Sequence, residues 1–155
     1  MTHLAIILLG GFQVKLDGQS LNGFRTDKNR ALLAYLALES RRPHSREALA
    51  ALLWPNRPET QAHDSLRQAL YQLHKIIPQA PQTQPHLLIT PDHVQFNLTS
   101  DHWIDVVQFR SWLSACYAHH PADSDLCSSC LDSLQCAIEL YQGEFLAGFS
   151  LTDVN

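Results

Sequence analysis

The sequence predicts an α+β fold in which a small antiparallel sheet, a three-helix core and a β-hairpin follow one another, and a helical segment closes the chain. Three observations predict it. Strand-like alternation fills the first 21 residues, helical apolar periodicity runs from residue 26 to 77, and a second alternating stretch follows a Pro-rich connection. Strands, three helices and a hairpin in this order are typical of a winged helix-turn-helix.

The first 21 residues are predicted to form three short antiparallel strands. Residues 4–9 are apolar, and in the next strand Phe12, Val14 and Leu16 alternate with polar side chains. Asp17-Gly18 is a hairpin turn signal, after which residues 19–21 return as a third strand. Gly10-Gly11 is interpreted as a bulge or a tight bend between strands.

Two helices are predicted next. The first begins at Thr26 and ends before Arg41-Arg42-Pro43, and its apolar residues are so dense that most of its circumference should be buried. The second follows Ser45, a favourable N-cap, and ends at Trp54-Pro55.

The third helix is predicted from Glu59 to Ile77, with Pro78 closing it. Its leucines form one stripe, and a helical wheel places six polar or aromatic residues on the opposite side. Arg, Gln and acidic side chains match the hydrogen-bonding edges of bases, so this face is a candidate for reading DNA, although an ordinary amphipathic surface helix gives the same pattern. The six residues are Thr60, Asp64, Arg67, Gln68, Tyr71 and Lys75.

Basic residues near the start of the second helix are candidate phosphate contacts. Arg41, Arg42 and Arg46 flank a helix N-terminus, where backbone N–H groups and guanidinium groups can converge on an anion. The second and third helices then form a helix-turn-helix pattern, and the hairpin with arms 87–90 and 94–98 is interpreted as the wing. Its tip, Asp92-His93, is not basic, which predicts weak wing contacts.

The net charge of −4 is divided unevenly along the chain. Residues 1–90 carry ten Lys or Arg against six acids, a balance of +4, whereas residues 91–155 carry one Arg against nine acids, a balance of −8. This asymmetry favours a basic module for a polyanion followed by an acidic module for another partner. A +4 module predicts moderate, salt-sensitive DNA binding.

The acidic segment is predicted to form two amphipathic helices that have too little core to be stable alone. One stripe runs from Val106 to Cys116 and the other from Cys127 to Tyr141. Cys127 and Cys130, with Cys116, His119, His120 and Cys136 nearby, are consistent with buried thiols, a zinc site or a redox dithiol. Core packing is favoured because both cysteines continue the apolar stripe, so no metal and no cofactor is expected.

Several function classes find no support in the sequence. It contains no GxGxxG, GxxxxGK[ST], GxSxG or HExxH motif, so the protein is not predicted to be an enzyme. No apolar run approaches the ~20 residues of a membrane span, and the N-terminus lacks the pattern of a signal peptide. A cytoplasmic protein without a membrane partner is expected.

Six segments of the chain together resemble the SARP-like transcriptional activators. They occur in the order found in that family, and they are LLGGFQV (8–14), KNRALLAYLA (28–37), SREAL (45–49), LLWP (52–55), SLRQAL (65–70) and IELYQGEFLAGF (138–149). In that family an OmpR-type winged helix is joined to a bacterial transcriptional activation domain.

The resemblance implies two domains: a winged-helix DNA-binding domain in residues 1–100, and the first TPR-like helices of an activation domain in residues 101–155. It also implies a four-stranded N-terminal sheet and a recognition helix at 59–77. The expected partners are double-stranded DNA at promoter direct repeats, RNA polymerase, and further copies of the protein on DNA. The alternative hypothesis is a protein-interaction module with a degenerate winged helix and an acidic, partner-binding helical tail.

Overall fold

A four-stranded sheet forms one side of the molecule in a computed structural model that describes residues 2–119, 125 and 127–149. Its first three strands are β1 (Leu4–Ile7), β2 (Gln13–Leu16) and β3 (Gln19–Ser20). Strand β2 pairs antiparallel with both β1 and β3. The fourth strand, β7 (His102–Ile104), lies parallel to β1 on its other side. The prediction that residues 102–104 belong to the helical segment is wrong, because a strand of three residues is too short to show an alternation in the sequence.

Three helices pack beside this sheet: α1 (Asp27–Leu38), α2 (Arg46–Leu53) and α3 (Glu59–Ile76). Thr26 caps α1 and Ser45 caps α2, each by accepting a backbone N–H with its hydroxyl. As predicted, α1 is buried around most of its circumference. The third helix ends one residue earlier than predicted, at Ile76, because Ile77 has already left the helical conformation as the C-cap.

A second, three-stranded sheet contains the predicted hairpin. Its strands are β4 (His44–Ser45), β5 (Leu87–Ile89) and β6 (His93–Phe96), in the order β4-β6-β5. Val94 and Phe96 are fully buried, whereas Leu98 is 52% exposed, so the prediction that the buried alternation continues to Leu98 is wrong. The strand ends at Phe96 because Asn97 begins a turn closed by the side chains of Asn97 and Ser100.

Two further helices, α4 (Asp105–His119) and α5 (Ser128–Leu140), follow β7 and pack against each other. The chain then returns to the sheet, where Leu146 N donates to Leu8 O over 2.7 Å and Gly10 N donates to Glu144 O over 3.0 Å. Residues 144–146 therefore lie against the end of β1, which ties the C-terminal segment to the N-terminal sheet.

The predicted apolar stripe of the last helix is wrong in part. Leu131, Ile138 and Tyr141 are 52%, 73% and 51% exposed, whereas Cys130 and Ala137 are buried. The buried pair lies on the side of α5 that meets α4, and within the described residues no element covers the other side. None of the described helices is both long and apolar enough for a membrane span.

Candidate nucleic-acid interface

Helix α3 has one anchored face and one exposed face. Its buried residues contact the hydrophobic core, which also includes the inner faces of α1 and α2. All six residues of the predicted base-reading face are exposed, and they lie opposite this anchor: Thr60, Asp64, Arg67, Gln68, Tyr71 and Lys75. The buried residues that hold the helix are Ala62, Leu66, Ala69, Leu70 and Leu73. The six side chains thus lie on the side of the helix predicted from the apolar periodicity.

Two pairs of neighbours order the exposed face. Asp64 Oδ1 accepts a hydrogen bond from Arg67 Nη2 over 2.9 Å, and the Lys75 ammonium lies 4.5 Å from the centre of the Tyr71 ring. Arg67 and Asp64 keep 73% and 63% of their side-chain surface exposed. Ion pairs this exposed stabilise a fold by ~1 kcal/mol or less, so Arg67 can exchange its partner at little cost.

The turn between α2 and α3 carries a basic residue that the sequence analysis did not include. Trp54 is buried and fixes the turn, while the exposed Arg57 donates from Nη1 to Ser65 Oγ over 2.8 Å. This bond holds the guanidinium of Arg57 beside α3. A basic residue inside a helix-turn-helix turn was the signal that would have identified it.

The start of α2 is joined to the tip of the β5–β6 hairpin through Arg46. Its backbone N–H donates to Asp92 O over 2.9 Å, and its Nε donates to Thr90 O over 3.0 Å. Arg46 is therefore half-buried and positioned by the hairpin. Arg41 and Arg42 are exposed in the connection between α1 and β4.

The residues predicted to meet DNA thus form two groups. One is the exposed face of α3 with Arg57 beside it, and the other is the arginine group that leads into α2. The hairpin tip adds Asp92 and His93, both exposed. Away from both groups, where α4 meets α5, the side chains of His119, Cys127 and Cys130 lie together.

Comparisons with known proteins show a likeness to solved structures. No family model matches the chain, and no curated protein matches it. Among solved structures, the fold is similar to that of Mycobacterium tuberculosis EmbR in complex with a low affinity phosphopeptide, with a TM-score of 0.70 and 23% sequence identity. The match covers 94% of this chain and 38% of the EmbR chain.

At this identity the likeness concerns the fold. It confirms the predicted α+β class, and at this level the fold agrees with the one implied by the resemblance to SARP-like regulators. This chain spans well under half of the length of EmbR. The phosphopeptide is a ligand of EmbR.

Proposed function

We propose that this protein is a sequence-specific DNA-binding transcriptional regulator, an activator, that places α3 in the major groove. One observation carries the proposal. Six polar or aromatic residues share the exposed face of a helix whose opposite face is fixed by five buried residues. A helix can read bases when it is rigidly anchored and when its side chains converge on one side, as these do.

The chemistry of this face matches the major-groove edges of base pairs. Arg67 can donate two hydrogen bonds to guanine O6 and N7, Gln68 can pair with adenine, and Asp64 can accept from the amino group of cytosine. Tyr71 and Lys75 lie one and two turns after Arg67 along α3. There the phenol of Tyr71 can contact a base methyl group, and the ammonium of Lys75 can contact a phosphate.

The phosphate contacts are proposed for the arginines around the helix-turn-helix. Arg41 and Arg42 are free of the hairpin, and Arg46 is held at the first turn of α2, where backbone N–H groups favour an anion. We add Arg57, since its guanidinium lies beside α3. The β5–β6 hairpin takes the position of a wing, with few contacts of its own because Asp92 is acidic.

The charge distribution supports moderate, salt-sensitive binding. The first 90 residues carry +4 and the remainder −8, so in this proposal the N-terminal helices meet the polyanion and the acidic helices α4 and α5 are available to protein. The resemblance to SARP-like regulators adds head-to-tail copies on direct repeats and contact with RNA polymerase.

Selection of bound duplexes from a random pool at low salt tests the proposal, because electrostatic binding is strongest there. We expect enrichment of a short motif. On the selected site, Arg67→Ala should lose ~1–3 kcal/mol of binding free energy and relax specificity at one base position. Arg42→Ala should instead weaken binding to all sequences and reduce by about 1 the slope of log affinity against log salt concentration. Arg110→Ala is the matched control, because Arg110 is an exposed arginine of α4 in the acidic segment.

The absence of any enriched motif at low salt would reject the proposal. The exposed apolar residues Leu131 and Ile138 of α5, with Tyr141 at its C-cap, would then favour the second candidate, a protein-interaction module whose partner covers this face. If a motif is enriched but the Arg67→Ala and wild-type proteins bind it equally, α3 is not the element that contacts the bases.

A further inference from the structure

The thiols and the imidazole at the junction of α4 and α5 form a compact group of metal-binding atoms. His119 is the last residue of α4, Cys127 is the N-cap of α5, and Cys130 lies in the first turn of that helix. One ring nitrogen and two sulfurs from these residues all lie within 4.8 Å of one another. We propose that His119, Cys127 and Cys130 bind a zinc ion that joins the end of α4 to the start of α5.

The spacing of the three atoms matches a tetrahedral zinc site. With zinc about 2.3 Å from each sulfur and about 2.0 Å from the nitrogen, tetrahedral angles place the nitrogen about 3.5 Å from each sulfur. The His119 Nδ1 lies 3.6 Å from the Cys127 sulfur and 3.5 Å from the Cys130 sulfur. A tetrahedral ion would lie above the plane of the three atoms, and both nitrogen–sulfur distances already have the length that it requires.

The donor set selects zinc by its chemistry. Two thiolates and one imidazole are soft and borderline ligands, whereas magnesium and calcium prefer oxygen. Cys130 lies three positions after Cys127, so both sulfurs lie on one side of the first turn of α5. Water or another donor takes the fourth position in this proposal.

The location gives the ion a structural task. Along α4 and α5, five residues are buried, and two of them, Asp105 and Val106, belong to the first turn of α4 at the sheet. The far end of the pair is held by Cys116, Cys130 and Ala137, which is a small core. So few apolar contacts cannot stabilise the helix pair at this end, and a metal that links the two helices supplies the missing stability.

The neighbouring thiol Cys116 has a different role. It is buried on α4, and its sulfur donates to the backbone oxygen of Cys130 over 3.6 Å. This contact fixes the first turn of α5 against α4. Cys116 is therefore a positioning residue for the three ligands.

A redox dithiol is the rival interpretation of Cys127 and Cys130. A dithiol needs only the two sulfurs, whereas here the His119 Nδ1 lies 3.6 Å from the Cys127 sulfur and 3.5 Å from the Cys130 sulfur. This third donor favours a metal site. When zinc binds, each S–H bond is replaced by a Zn–S bond, and two protons pass to the buffer.

Metal titration of the full chain tests the proposal. We expect the metal-free, reduced protein to bind one zinc ion per chain when zinc alone is added. With Co²⁺ as the probe, a thiolate-to-metal charge-transfer band and the visible bands of tetrahedral cobalt should appear. Cys127→Ser should weaken binding at least about 100-fold, since even the loss of an indirect partner of a metal ligand costs about 10–100-fold.

The variants are chosen so that folding and binding can be separated. Cys127→Ser places serine at the N-cap of α5, where serine is favourable, so the helix should be retained. Cys136→Ser removes an exposed thiol from the same helix and should bind zinc as tightly as the wild type. His119→Ala, by contrast, should alter the cobalt spectrum because one nitrogen ligand is lost.

Three results would overturn the zinc site. They are a cobalt complex without the charge-transfer band, equal affinity of the Cys127→Ser and Cys136→Ser proteins, and a wild-type chain that binds no zinc when fully reduced. Surface histidines alone give binding without the thiolate band. DNA binding is not part of this measurement, so its outcome is independent of the proposed regulatory function.

Discussion

The carboxylate of Asp105 accepts the backbone N–H of Leu8, with its two oxygens 3.0 and 2.9 Å from the amide nitrogen. The same carboxylate accepts the N–H groups of Leu9 at 2.8 Å and Val106 at 2.7 Å. Asp105 is 1% exposed and begins α4, while Leu8 directly follows β1. This one side chain therefore fastens the C-terminal helices to the N-terminal sheet.

Replacing Asp105 by asparagine should destabilise the protein strongly. The amide keeps one acceptor oxygen, but its NH₂ group faces buried N–H donors, and a buried donor without a partner costs ~1–3 kcal/mol. Urea unfolding should show a clearly lower midpoint for Asp105→Asn. Asp132→Asn is the control, since Asp132 is exposed on α5 and its loss should change stability by ~0.5 kcal/mol or less. Equal midpoints for the two variants would contradict this account.

Alanine substitutions at Gly10 and Gly18 distinguish two effects of an added side chain, which are backbone strain and steric overlap. Both residues have a left-handed backbone, with φ of 90° and 81°, so alanine at either site costs roughly 1–2 kcal/mol in strain. A Cβ at Gly10 would also lie 2.8 Å from the Cβ of Gln142, whereas a Cβ at Gly18 meets nothing within 4 Å. Gly10→Ala should therefore be the more destabilising change, and it should increase proteolysis within residues 142–149. Equal loss of stability would show that the returning segment does not press on Gly10.

Asp64→Asn should make DNA binding tighter and less selective, if the proposed function holds. The substitution removes a negative charge from the face that meets the polyanion, and it removes the ion pair with Arg67. We expect higher affinity for random duplexes and a smaller ratio between selected and random sites, as measured by fluorescence anisotropy at two salt concentrations. Glu139→Gln, on the exposed surface of α5, provides the matched loss of one negative charge. A larger ratio in Asp64→Asn would contradict the role given to this carboxylate.

Because His86 is buried, we expect the folded protein to lose stability in mild acid. Burial, followed by the charge of His102, lowers the pKa of His86, so the folded protein keeps this imidazole neutral. Its Nδ1 lies 3.0 Å from Ser100 Oγ, and its Nε2 has no partner among the described atoms. Above the unfolded pKa of about 6.5 both states are neutral and the full stability is present. As the pH falls below that value, the unfolded chain takes up a proton first, and stability decreases until the folded pKa is reached.

The histidine prediction is checked by urea unfolding at several pH values between about 7.5 and 5, below and above the ordinary titration of histidine. The midpoint of the wild type should fall more steeply with acidification than that of His86→Gln, which cannot titrate. His74→Gln serves as the control, because His74 is exposed on α3 and its replacement should leave the slope unchanged. Parallel slopes in the wild type and His86→Gln would exclude this contribution.

Elements with a repeating local pattern could be predicted from the sequence. The cap Ser45, the turn at Asp17-Gly18 and the stripe of α3 depend on residues close together in the chain, and each lies where it was expected. The exposed face that includes Arg67 and Gln68 followed from the same periodicity, because one helix fixes the direction of its own side chains. Whether that face binds DNA stays a prediction.

Features set by pairing between distant segments could not be predicted. Strand β4 has two residues and β7 has three, so neither carries an alternation, and each exists because another strand offers its edge. The exposure of Leu98 and Ile138 was likewise missed, since an apolar stripe shows which residues could be buried and not whether a neighbour is there to bury them.

The α+β class, the order of the helices and the composition of the polar face on α3 follow from local preference and periodicity, so the amino-acid sequence was enough to predict them. Three contacts depend instead on how distant elements pack: Asp105 meets Leu8, the hairpin holds Arg46, and His119 lies within reach of Cys127 and Cys130. The contact between Asp105 and Leu8 joins residues 97 positions apart. Their partners are chosen by the packing of whole elements, which no local pattern records.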